Sequence, residues 1–112
     1  MPDTSWIESL PAAVTVCDRE GVILEMNEAA CRAFAKDGGA ALIGRNVLDC
    51  HPAPARAKLA ALLAAGDTNC YTIEKNGARK LIYQAPWYKD GACAGLVEIA
   101  IPLPAEIPNY VR

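Results

Sequence analysis

The dipeptide Asn76-Gly77 constrains this chain more than any other feature of it. A type I′ turn needs positive φ at both central positions, and Asn-Gly tolerates that better than almost any other pair. The dipeptide stands between NCYTIEK and ARKLIYQAPWY, runs rich in β-branched and aromatic residues, so the two are expected to pair as antiparallel strands. A two-residue turn there sets Glu74 opposite Arg79, which places opposite charges across the ladder. Asp90-Gly91 turns the chain again, into ACAGLVEIAI. A three-stranded meander over residues 70–101 follows, and Pro102, Pro104 and Pro108 should keep the chain from continuing as regular helix or central strand.

The first half reads as a second hairpin followed by helices. In TSWIESL, Trp6, Ile7 and Leu10 give one side of a short amphipathic helix that Pro11 stops. AVTVCDREGVILEMN is two β-branched runs around Asp18-Arg19-Glu20-Gly21. Asn27 directly precedes EAACRAFA, where its side chain can accept from an exposed amide of the first helical turn. ALIGRNVLDC has no clear type, whereas PAPARAKLAALLAAG reads as a helix with Leu59, Leu62 and Leu63 at helical spacing and Gly66 as its stop. Helix, two strands, short helices and three strands make an α+β class, with a five-stranded antiparallel sheet whose one face carries the helices.

At 112 residues the chain is expected to form one domain with one core. Hydrophobic residues are 53% and charged residues 21%, the balance of a folded rather than a disordered protein. A formal charge of −2 with no basic run gives no footprint for nucleic acid or anionic membrane. MPDTSWIESL lacks the basic start and apolar stretch of a secretory signal, and LAALLAA is far too short to span a bilayer, so the expected setting is cytoplasmic. Five cysteines, at 17, 31, 50, 70 and 93, contain no C-x-x-C pair, which suits reduced thiols rather than a disulfide framework or a zinc knuckle.

The order of elements and several stretches resemble the PAS family of sensory domains, over about residues 6–101. WIESLPAAVTVCDREGVILEMNEAACRAF is similar to the PAS opening of helix, strand, Gly turn, strand, Asn and helix. LIGRNVLD resembles the Gly-Arg segment that follows, and GLVEIAI the final strand. NVLDCHPAP resembles the PAS modules that carry Cys-His-Pro in the middle helical region, with Ala53 where a second proline is expected. The resemblance implies strand order 2-1-5-4-3. It also implies a pocket between sheet and helices for a small molecule, haem or flavin, or a core filled by side chains. Many PAS domains leave the last strand through an Asp-Ile-Thr-like exit into an output helix, whereas IAIPLPAEIPNYVR does not. Output through a separate signalling partner is expected, unless the sequence is a fragment.

No base stands beside a nucleophile. His51 is the only imidazole, and Cys50 next to it would point about 100° away on a helix, so a Cys-His hydrolase is not expected and the chain is read as a non-enzyme. His51 has two readings. Pro52 disfavours helical geometry at the residue before it, so His51 can mark a helix end. Alternatively, that end aims His51 at a haem iron, with Val47 and Leu48 as apolar surroundings. The residues expected around a cofactor are His51, Cys50, Val47, Leu48, Leu63 and Tyr83, with His51 a metal ligand only if haem is bound. Glu25, Glu74 and Glu98 lie in strand runs, where solvent-facing positions are the commoner case. Tyr83 and Trp87 share one strand face and Ile82 and Gln84 the other, so the face the pocket uses decides between the two pairs. The overall expectation is a sensory module that binds a small ligand and dimerises through its N-terminal helix and an exposed sheet face. The competing expectation is an interaction domain with a filled core.

Overall fold

The computed structural model describes residues 3–50 and 52–112, without the side chain of Cys50. Helix α1 (Ser5–Glu8) leads into β1 (Ala13–Asp18) and β2 (Ile23–Met26), and α2 (Glu28–Ala33) follows. Three 3₁₀ turns, Ala35–Asp37, Gly39–Leu42 and Val47–Cys50, lead to α3 (Ala53–Ala65). The meander β3 (Asn69–Lys75), β4 (Ala78–Lys89) and β5 (Ala92–Leu103) completes the chain's regular elements. All five strands form one antiparallel sheet in the order β2-β1-β5-β4-β3.

Both expected turns take the conformation their residues favour, with φ of 54° and 78° at Asn76 and Gly77 and of 52° and 80° at Asp90 and Gly91. The register puts Glu74 opposite Arg79 and runs on to Asn69 opposite Gln84. β5 extends two residues past Ile101, to Leu103, so the regular structure ends later than the prolines suggested. Pro102 lies opposite Lys80 of β4, beyond Ala100, where the pairing with β1 ends. There β5 has a neighbour on one side alone, a position at which a sheet accepts proline. Pro86 in β4 lies likewise beyond Gln84, where the pairing with β3 ends.

Asn27 holds the first half together. Its Oδ1 accepts from the backbone N–H of Ala30, which caps α2 (3.0 Å), and from that of Val14 in β1 (2.9 Å). Its Nδ2 donates to the carbonyls of Ile7 (2.9 Å) and Ala12 (2.8 Å). The stretch of unclear type is tied to the first hairpin by a bridge between Val22 and Asn46, and Asn46 Nδ2 donates to the carbonyl of Glu20 (2.9 Å). These bonds press the Val47–Cys50 turn onto the sheet. α3 buries Leu59 and Leu63, one helical turn apart, against Cys17 and Leu96, and most of its remaining surface is exposed.

Candidate functional site

The registers place one residue from each strand in a single row across the face that carries the helices: Met26, Thr15, Glu98, Gln84 and Asn69. Four of the five are polar. Asn69 Nδ2 donates to Gln84 Oε1 (3.0 Å), and Gln84 Nε2 donates to Glu98 Oε1 (2.7 Å). An ionised carboxylate only accepts, so the chain of bonds has one direction, inward from the sheet edge at Asn69 to Glu98 near the centre. Gln84 is buried, at 8% exposure, and both ends of its amide are used.

A cavity of about 130 Å3 lies over this row. β1 contributes Thr15 and Cys17, β2 Ile23 and Met26, and β4 and β5 Gln84, Leu96 and Glu98. The helical layer closes it with Phe34, Leu42, Val47 and Leu59, and Asp37 stands at its rim. A second cavity, of about 150 Å3, lies between α3 and β3 and is lined by Lys58, Leu62, Asn69 and Tyr71. Gln84 and Leu59 border both cavities.

Burial pushes the Cys17 thiol above its ordinary value of 9.0, and the Asp18 and Glu98 charges add to the rise, while a backbone hydrogen bond at Leu96 works against it. Tyr71 is likewise raised above 10.0, first by burial and then by the Glu98 charge. The negative charge of Glu98 is thus felt in both cavities. Among the described residues no three His, Cys, Asp or Glu side chains gather as a metal site.

The residues expected from the sequence divide. Val47 lines the cavity, and Leu48 and Leu63 pack in the cluster of Cys17, Leu59 and Leu96 beside it. His51 and the Cys50 side chain lie outside the described residues. Tyr83 does not line the cavity: it alternates with Ile82 and Gln84, so its ring falls on the opposite face of the sheet, 40% exposed. Trp87 shares that outer face, and its Nε1 donates to the carbonyl of Cys17 (2.9 Å). Glu25 and Glu74 are exposed, whereas Glu98 faces inward. Thr15, Ile23, Met26, Phe34, Leu42 and Leu96 were not singled out, and Leu59 was read only as part of a helix face, although the parity fixed by Asn76-Gly77 already puts Asn69 and Gln84 on one face.

A family model described as PAS fold matches residues 7–103. The chain belongs to the PAS fold family. Solved structures agree with this PAS assignment. The VqmA dimer of Vibrio cholerae, described in the absence of target DNA, is 17% identical with a TM-score of 0.68, over 89% of this chain and 49% of VqmA. VqmA bound to DPO is 16% identical with a TM-score of 0.69, over 88% and 56%. The Aer2 receptor of Vibrio cholerae, described as a dual PAS-heme oxygen sensor, is 19% identical with a TM-score of 0.58, over 83% and 95%. The PAS domain described here therefore spans about half of VqmA, and at these identities the likeness establishes the fold. No curated protein matches the sequence significantly. No helix among the described residues is long and apolar enough to cross a membrane.

Proposed function

We propose that this PAS domain is a cytoplasmic sensory module that binds a small molecule in the cavity between sheet and helices and passes its state to a separate signalling partner. The observation that carries the reading is the polar row of half-buried Thr15 and Glu98 and buried Gln84, under a helical layer that is apolar apart from Asp37 at the rim. A core that is merely filled has no use for a carboxylate at its floor, because burying one costs free energy unless something compensates it. The structures of VqmA with DPO and of the dual PAS-heme sensor Aer2 support small-ligand binding in this fold.

Size separates the ligand classes. A cavity of about 130 Å3 is on the scale of those that hold a single benzene ring, roughly 150 Å3, whereas sites for larger organic ligands begin at about 300 Å3. A porphyrin does not fit it. Haem remains the second reading because of the likeness to Aer2 and the Cys50-His51-Pro52 motif, and it requires the helical layer to stand further from the sheet. The proposal is tested by a native mass spectrum and an absorption spectrum of the freshly purified protein. A colourless protein carrying a small adduct is expected. A Soret band that disappears in His51→Ala would establish the haem reading instead, and an adduct-free protein that takes up no ring-sized probe would leave an interaction domain with a filled core.

A further inference from the structure

The floor of the cavity carries the carboxyl of Glu98. Glu98 Oε1 takes the amide hydrogen of Gln84, and among the described residues no lysine or arginine lines the cavity. The rigid Asn69-Gln84 chain delivers one neutral donor to one oxygen. Directly across the β1–β5 pair stands Thr15, whose hydroxyl can serve as donor or acceptor on the same row. Above them, Phe34, Leu42, Val47 and Leu59 offer no polar side-chain group, and Asp37 stands at the rim.

A carboxylate half-withdrawn from water in such surroundings is best matched by an N–H donor, and better by one with positive charge, because charge-assisted hydrogen bonds are roughly twice as strong as neutral ones. Volume limits that donor to one ring or its equivalent. We infer that the ligand is a single-ring nitrogen base whose N–H groups donate to the Glu98 carboxylate, with Gln84 fixing that carboxylate in place and the apolar vault covering the ring. Glu98 and Thr15 touch the ligand, whereas Gln84 and Asn69 are positioning residues. A ligand whose own polar edge is an anion is excluded by the same charge. This assignment rests on the cavity being a ligand site, as proposed above.

The experiment uses 2-aminopyridine and toluene, rings of matched size, against the full chain and its Glu98→Gln variant, with amide chemical shifts as the readout. Toluene is expected to perturb the Cys17, Leu96 and Glu98 amides in both proteins, which also shows that the variant is folded. 2-Aminopyridine is expected to bind the wild type more tightly than toluene and to lose at least about tenfold in Glu98→Gln, as suits one charge-assisted contact. Equal affinities of 2-aminopyridine for the two proteins, with toluene still bound, would overturn the ligand assignment and leave the cavity standing. Failure of both rings to bind the wild type would overturn the ligand site itself.

Discussion

Cys17 occupies two environments at once, its thiol in the cavity and its carbonyl under the Trp87 indole. The thiol is held protonated in the folded protein to a higher pH than in the unfolded chain, where it titrates near 9.0. Above that pH the native state therefore binds more protons than the unfolded state, and stability falls as pH rises. The contribution is complete below pH 9.0 and is lost through the alkaline range, and Tyr71, raised above 10.0, adds a slope of the same sign. Urea unfolding at about pH 8 and about pH 10 should show this loss in the wild type and a smaller one in Cys17→Ala, whatever the variant's stability at the lower pH. Equal slopes in the two proteins would mean that Cys17 does not titrate differently on folding. The neighbouring constraint is Gly95. With φ of 155° it lies opposite Asp18, and a Cβ there would collide with the Cys17 carbonyl oxygen, so the close approach of β5 to β1 requires glycine.

Among the elements, those whose residues act locally were legible in the sequence. Asn76-Gly77 and Asp90-Gly91 determine their own backbone, and so the hairpins and the meander register follow from them. Asn27 was legible only as a helix cap, because its bonds to Ile7, Ala12 and Val14 depend on where α1 and β1 come to lie. The Val47–Cys50 turn had no readable period, since its place is set by the Asn46 side chain and by bridging to the first hairpin. Glu98 was read as one of three strand carboxylates because charge predicts exposure, and its inward placement depends on parity carried across four strands. For α3 the decisive residue is Leu59, which borders both cavities and joins the helix to Cys17 and Leu96. Leu59→Ala is expected to destabilise the protein by about 2–4 kcal/mol in urea unfolding, the usual cost of emptying a buried leucine site. It should also merge the two cavities and admit a two-ring probe such as indole. A loss below about 1 kcal/mol would show that α3 is held elsewhere.

For the molecule as a whole, the two faces of the sheet divide its work. The inner face carries the polar row, and the outer face carries half-buried Val16, Leu81, Val97 and Ile99 with Tyr83 exposed among them. Trp6 in α1 is 65% exposed, and Ile101 at the same sheet end is 38% exposed. Exposed apolar area of this kind asks for a cover, and a second copy would supply a matching one. Sedimentation of the intact protein should show a dimer at high micromolar concentration, and deletion of residues 1–10 should shift it to monomer. An intact protein that is monomeric at that concentration would remove self-association from the reading.

The hydrogen bond from Trp87 to the Cys17 carbonyl has a consequence for observing all of this. The chain has two tryptophans. Trp6 stands in water, whereas the Trp87 indole is half-buried and anchored to the strand whose side chains form the cavity wall. Their fluorescence should separate under a water-borne quencher such as iodide, with Trp6 quenched first and Trp87 shielded. The molecule thus carries two intrinsic optical reporters, one at the candidate dimer surface and one bonded to β1 beside the candidate cavity, and no label is needed to test either proposal.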